Sequence, residues 1–450
     1  MTEAERKTIY IPEISRVEGH AAVDVVIENG CVKEVKLDVF EGTRFFEQIV
    51  VGHKFDEIAH LTSRVCAICS TGHVIAAVRA IETIFSLQPN RRTELYRELM
   101  HLGMIIESHA THIYALALPD FLNTPDLVSF ATGHPDRFAE WTLLRNLGAS
   151  IQTAIGGRPF HPVNLHVGGL SSYSPAEDLQ HFTESCKQAL PLAESVCRLL
   201  LEFKPRVART TQPVFLALIP DSGNYGFFGR KVRCSAGWEA DIQSYPDYLM
   251  EHSVSYSHAK KSAARGQSLM VGSMARLALF GDRLGGRARE LFVESPLADS
   301  DTNTLWNNLA QAIEVVYALE RVPQIIAEIE SLPASITTEE PVTGCRQAGW
   351  SAGAVECPRG TLYHSYELDA EGTILRADMI TPSAQNTARI ELDIKEVVEN
   401  EQNNNDATDS NSLQKQLETL VRAYDPCNTC ATHMVQITHV PPEQLAAPDH

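Results

Sequence analysis

Along the first 40 residues apolar and polar positions alternate with a period of two, in Thr8-Ile9-Tyr10-Ile11, again from Ala22 to Ile27, and again from Val32 to Val39. Period two is the strand signature, and Glu28-Asn29-Gly30 between the second and third runs has the composition of a tight hairpin turn. From Val74 the period lengthens: Val74, Val78, Ile81 and Phe85 share one helix face until Pro89. A long helix is predicted from Thr93 to Leu118, ended by Pro119, with apolar residues on more than one side and therefore a central place in the core. Ser174-Pro175-Ala176-Glu177 reads as a helix start, Ser174 capping, Pro175 in the first turn and Glu177 completing a capping box, and that helix runs toward Phe203. Thr304 to Leu332 is helical again, with a kink expected at Pro323. Period two returns from Thr361 to Leu368 and from Thr373 to Met379, joined by Asp369-Ala370-Glu371-Gly372 as a second hairpin. Residues 396–411, rich in Glu, Asn, Asp and Ser, read as a solvated polar loop, and Leu413 to Tyr424 as a helix. With no repeat and no break in composition, the pattern predicts one α+β domain, predominantly helical in its core, with N-terminal and C-terminal β-hairpins.

Composition agrees with a globular chain: 450 residues, 44% hydrophobic and 21% charged, suffice for a large core. The net charge of −19 speaks against DNA or RNA as partner, because phosphate binding draws on clustered Lys and Arg. No window approaches the roughly 18 uninterrupted apolar residues a bilayer span needs, and Met1 to Lys7 lack an apolar export core, so neither a membrane span nor an export signal is expected in the chain.

Ten cysteines are too sparse for a disulfide scaffold. Six of them (Cys31, Cys186, Cys197, Cys234, Cys345 and Cys357) stand singly and read as small buried apolar residues. The other four form two CxxC pairs, Cys66/Cys69 and Cys427/Cys430, each followed by a histidine, His73 and His433. A CxxC loop offers two thiolates to one soft metal, and two such loops make a tetrathiolate. Spacing alone leaves three readings open: a shared metal site, a structural zinc site, or separate redox dithiols. Zinc ribbons usually close over about 15–20 residues, whereas these pairs lie at opposite ends of the chain.

The residues around the pairs narrow the choice. Arg64-Val65-Cys66-Ala67-Ile68-Cys69 with His73, and Asp425-Pro426-Cys427-Asn428-Thr429-Cys430 with His433, resemble the two signatures of nickel-iron hydrogenase large subunits. Arg16-Val17-Glu18-Gly19-His20, Arg44-Phe45-Phe46-Glu47, Gly156-Gly157-Arg158 with His161-Pro162 and Gly168-Gly169, Pro358-Arg359-Gly360 and Thr381-Pro382-Ser383 are similar to further motifs of that family, in family order. Residue 67 is Ala where the family often has Gly, and residue 357 is Cys where it often has Ala.

The resemblance implies a nickel-iron hydrogenase large-subunit domain over residues 1–433 that cleaves dihydrogen reversibly and heterolytically. It implies a Ni-Fe centre whose iron carries CO and cyanide, with Cys66 and Cys427 as terminal nickel ligands and Cys69 and Cys430 as bridges. Arg359 would stand over the open site with Asp120 and Asp425; Ser383 would hydrogen-bond a cyanide, His73 a bridging sulfur, and Pro358 would pack beside the metals. Glu18 would relay protons, and Glu47 with His433 would hold Mg or Fe near the C-terminus, close to the Met379 carbonyl. A maturation endopeptidase would cut between His433 and Met434 and remove the tail 434–450. No cysteines remain for an iron-sulfur cluster in this chain, so electrons would pass to an iron-sulfur small subunit and onward to a nicotinamide- or deazaflavin-reducing module, in the cytoplasm. Glu107, His109 and His112 lack a partner carboxylate at ferritin-like spacing and are set aside as ligands. Two rivals stay open, a catalytically silent relative of the respiratory-complex quinone-site subunit and a zinc-binding scaffold. The silent relatives have lost the cysteines that are intact here.

Overall fold

The computed structural model describes residues 6–203, 211–333, 342, 344, 347–403 and 410–432. At its centre, helix Arg91–Ala110 packs on Pro135–Gly156 and on Asn307–Ser331, which in turn packs on Ala176–Glu202. Every residue from Leu99 to Ala110 is buried, as expected of a helix apolar on several sides. Its close crossing with Pro135–Gly156 depends on Gly103 and Gly148: a β-carbon at Gly148 would stand 2.4 Å from the Gly103 carbonyl oxygen.

Two of the predicted helix ends and one predicted loop differ. The long helix does not stop at Pro119; it widens into a π-helical stretch, Thr111–Ala117, and resumes as Leu118–Phe121. Pro119 falls in the first turn of that last short piece, where its missing N–H breaks no hydrogen bond within it. Ser174 does not cap; its hydroxyl donates to Ala154 O at 2.6 Å, and Pro175 takes the cap position. The segment expected to be a polar loop over 396–411 is helical through Asn403 and from Ser410, with residues 404–409 outside the described residues. Its Glu and Gln residues favour helix while Val397 and Val398 anchor the core face.

The N-terminal hairpin is part of a three-stranded antiparallel sheet, Arg6–Ile11, Ala21–Glu28 and Cys31–Val39, turned by Asn29 and Gly30 at positive φ. Cys31, expected as a packing residue, is exposed in that turn; Cys186, Cys197, Cys234 and Cys357 are buried, and Cys345 lies outside the described residues. The C-terminal hairpin Gly360–Leu368/Ile374–Ile380 gains a third strand, Gly349–Cys357, absent from the alternation reading because it is buried on both faces from Ser351 to Cys357. This strand lies directly on helix Ser70–Ile84: a β-carbon at Gly353 would meet Ala76 O at 2.3 Å. A four-stranded sheet (Leu269–Met270, Val214–Leu218, Lys231–Cys234, Trp238–Asp241) and a hairpin (Leu249–Val254, Ser257–Ala264) complete an α+β fold. Among the described residues no helix is long and apolar enough to cross a membrane.

Candidate metal centre

The two CxxC loops meet in the core. Cys69 is the N-cap of Ser70–Ile84, and Cys427 is the N-cap of the short helix Asn428–Ala431. Before Cys427 the chain turns through Asp425 at φ 51°, leaving helix Ser410–Ala423. Arg44 ties the loops together, one guanidinium nitrogen donating to Val65 O at 2.6 Å and to Thr429 O at 2.7 Å. Glu18 fixes the second loop from its other side: its carbonyl accepts from Asn428 N at 3.0 Å, in a parallel bridge beside Cys427.

All four sulfurs are buried and lie within 4.8 Å of one another. Cys66–Cys427 is 3.6 Å, Cys69–Cys430 3.2 Å and Cys427–Cys430 2.8 Å. Hydrogen bonds from neighbouring thiols push Cys66 well below the ordinary thiol range and Cys427 to about 7, while Cys69 and Cys430 are raised. Four thiols this close and this buried cannot all ionise unaided; a cation of soft character lets them, which is the donor set a tetrathiolate metal site requires. Among the described residues this is the one group of metal-ligating side chains close enough to hold an ion.

Arg359 is buried against it. Its Nε donates to Asp425 O and one Nη to Asp425 Oδ1, both at 2.8 Å, and its other Nη to Ser108 Oγ at 3.2 Å. Burial works against its charge, but Asp425 and the cysteine sulfurs hold the guanidinium firmly ionised. Asp425 Oδ2 accepts from Gln311 at 3.1 Å. Asp120, expected beside Arg359, is engaged elsewhere: it pairs with Arg16 and takes two bonds from Arg422, at 2.7 and 2.9 Å. Two arginines next to one carboxylate leave it no reason to turn toward a third. Pro358 is set by Arg276, which donates to the carbonyls of Cys357 and Pro358 while Glu314 and Glu356 neutralise it.

Ser383 Oγ accepts from Cys427 N at 2.9 Å, so its hydroxyl hydrogen is free to turn to another acceptor. His73 is buried in the first turn of its helix with Nε2 4.0 Å from Cys430 Sγ, and burial lowers it to about 3, so the ring is neutral. The Glu18 carboxylate accepts from Thr429 N at 3.1 Å and Thr429 Oγ1 at 2.5 Å. Neither Arg16 nor His20 is its partner, for Arg16 goes to Asp120 and His20 to Glu13. Burial, then the charge on Cys427, pushes Glu18 up to about 8.

Glu47 lies apart from the cysteines, accepting from Met379 N at 2.8 Å, with Lys260 at 3.8 Å. Burial raises it to about 8 and Asp378 adds to that, while Lys260 opposes. His433 and Met434 lie outside the described residues. Glu107, His109 and His112 point to different partners, Gln152, Glu314 and Gln311, and do not converge. Ser108, Gln311, Arg276 and the dyad His364–Tyr366 escaped the sequence reading; only their burial against the site marks them, and burial is not legible residue by residue.

A helical core that gathers two distant CxxC loops into a buried four-thiol group defines a metal-binding protein with soft donors. The family model for nickel-dependent hydrogenase matches residues 44–144 and 217–433. Sulfhydrogenase 1 subunit alpha of Pyrococcus furiosus is 33% identical over 437 residues, covering 96% of this chain and all of that protein; sulfhydrogenase 2 subunit alpha is 34% identical over 95% and 100%. The crystal structure of an NAD+-reducing [NiFe]-hydrogenase superimposes with a TM-score of 0.81 at 25% identity, covering 96% of this chain and 100% of that one. The chain belongs to the nickel-dependent hydrogenase family: it is the catalytic large subunit of a hydrogenase, an oxidoreductase acting on dihydrogen, and its four cysteines support a nickel-iron centre.

Proposed function

We propose that the chain cleaves dihydrogen reversibly and heterolytically at Cys66, Cys69, Cys427 and Cys430, with Cys66 and Cys427 as terminal nickel ligands and Cys69 and Cys430 bridging to an iron that carries CO and cyanide. The observation that carries this reading is the buried four-sulfur group with an ionised arginine and a raised carboxyl against it. When bound, the metal pair supplies the Lewis-acid and redox chemistry for splitting the molecule. The chain supplies the rest. Arg359, held by Asp425 and Ser108, keeps a fixed positive charge at the site. Cys427 passes the proton to Glu18, whose raised value suits it to accept and release a proton near neutrality. Ser383 turns its free hydroxyl hydrogen to a cyanide. The substrate needs no roomy cleft, and a surface cleft lined in part by Arg79, Arg91, Tyr225 and Arg321 contains none of the four cysteines.

The reading extends to the assembly. Electrons leave through an iron-sulfur small subunit to a nicotinamide- or deazaflavin-reducing module, and the name of the NAD+-reducing structural relative favours the nicotinamide alternative. Glu47 and His433 hold magnesium or iron, the catalytic domain ends at His433, an endopeptidase removes the tail from Met434, and the complex works in the cytoplasm. Metal analysis of the purified complex tests the core of this reading: nickel and iron in comparable amounts support it, zinc alone supports a scaffold, and no metal supports a silent relative.

A further inference from the structure

The strand Gly360–Leu368 lies against the start of helix Ser70–Ile84. Residues two apart on a strand share a face, so His364 and Tyr366 reach the same side, toward His73. The three form a line. Tyr366 Oη is 2.6 Å from His364 Nδ1, His364 Nε2 is 2.9 Å from His73 Nδ1, and His73 Nε2 is 4.0 Å from Cys430 Sγ. The imidazole planes meet edge to face at 71°, which aims one ring's N–H at the other's lone pair. Their exposures are 0%, 0% and 1% for Tyr366, His364 and His73. A network this dry has its hydrogens placed by its own members rather than by water.

A neutral imidazole has one N–H and one bare nitrogen, so fixing any contact in this line fixes the others. A metal-bound Cys430 has no S–H and can only accept. The hydrogen between His73 and Cys430 then sits on His73 Nε2, which leaves His73 Nδ1 bare. His364 Nε2 must therefore carry a hydrogen, and its bare Nδ1 must accept from the tyrosine hydroxyl.

Resting on the nickel-iron reading above, we propose that His364 and Tyr366 are positioning residues that lock His73 in the tautomer whose Nε2–H donates to the Cys430 sulfur. A hydrogen bond to a thiolate draws electron density off the sulfur, so the tautomer lock raises the reduction potential of the metals that sulfur binds. Without the tyrosine hydroxyl, the bare His364 Nδ1 loses the donor that holds it, the His364 ring is less firmly set, and its bond to His73 weakens. His73 then donates less firmly to the sulfur.

Two measurements test this. In the nickel- and iron-loaded complex, the midpoint potential of the nickel paramagnetic signal and the turnover are compared for wild type, His364→Leu, His364→Gln and Tyr366→Phe. His364→Leu is expected to shift the potential to more negative values and to lower turnover about tenfold. His364→Gln, whose amide N–H can still donate to His73 Nδ1, is expected to restore both. Tyr366→Phe is expected to shift the potential in the same direction but less, with nickel and iron content unchanged. Equal shifts in the Leu and Gln variants, or no shift in Tyr366→Phe, would overturn the proposal; the tyrosine variant loses one oxygen and decides the matter even if His364→Leu fails to load. The second measurement uses histidine-specific 15N labelling of the full chain loaded with zinc alone, with His73 assigned by its loss in His73→Gln. A hydrogen on Nε2 and a bare Nδ1 are expected, and the opposite tautomer overturns the proposal. Absence of nickel from the wild-type complex would remove the hydrogenase reading while leaving the tautomer result standing.

Discussion

Replacing Glu18 by Gln separates proton transfer from every other task of the site. Glu18 stands at about 8 and Cys427, beside it, at about 7, against ordinary values of 4.5 and 9.0. Burial and the neighbouring Cys427 charge thus bring the Glu18 carboxyl into the range where it can accept and release a proton near neutrality. Glutamine keeps the size and the backbone anchor to Asn428, and with its amide oxygen accepting from Thr429 N and its NH2 donating to Thr429 Oγ1 it keeps both contacts. It cannot carry a proton. Turnover should fall about 10²–10⁴-fold, the usual worth of a general acid or base, with nickel and iron content unchanged. Exchange of dihydrogen with deuterated water should fall alongside, while ortho-para conversion, which needs no proton from solvent, persists. The pH dependence follows the same sign. To take a proton during dihydrogen oxidation Glu18 must be ionised, so wild-type oxidation should rise as pH climbs through about 8, and the variant should lack that rise. Stability gives a second check. A carboxyl raised from 4.5 to about 8 on folding binds more protons folded than unfolded between those values, so it costs stability as pH rises through that window. Glu18→Gln should therefore unfold at a higher temperature relative to wild type at pH 9 than at pH 5. Wild-type rates of exchange with water in the variant would refute the relay.

Serine at any one of Cys66, Cys69, Cys427 or Cys430 should abolish turnover, because a harder ligand weakens nickel binding; nickel analysis and dihydrogen uptake check this, and near-normal activity in one variant would remove that residue from the ligand set. Gly72→Ala should destabilise by about 1–3 kcal/mol in a denaturant titration, since its β-carbon would stand 2.3 Å from Cys357 Sγ, and adding Cys357→Ala should recover most of the loss. The intact mass of active large subunit should lack residues 434–450, and a mass that retains them would count against proteolytic maturation. The large subunit should co-purify with an iron-sulfur protein; a chain that runs as a monomer and reduces a natural acceptor unaided would refute that partnership.

Much of this protein is written locally in its sequence. Period two over Thr8–Val39 and over Thr361–Met379 placed both hairpins, and period 3.6 placed the helix after Val74, because one buried face imposes its repeat on the chain, while the helix from Ala176 was marked by Pro175 and Glu177 at its start. The strand Gly349–Cys357 had no such repeat, being covered on both sides. The cysteines were legible as pairs, since two ligands three residues apart act within one loop. Which carboxylate faces which arginine was not: Asp120 lies 104 residues from Arg16 and 302 from Arg422, and only packing makes them neighbours. The same holds for His73 and His364, which are 291 residues apart. Spacing along a chain determines what can be reached within a turn or a loop, whereas side chains further apart meet only when burial of the core brings their elements together, and their pairing is settled there by distance and charge.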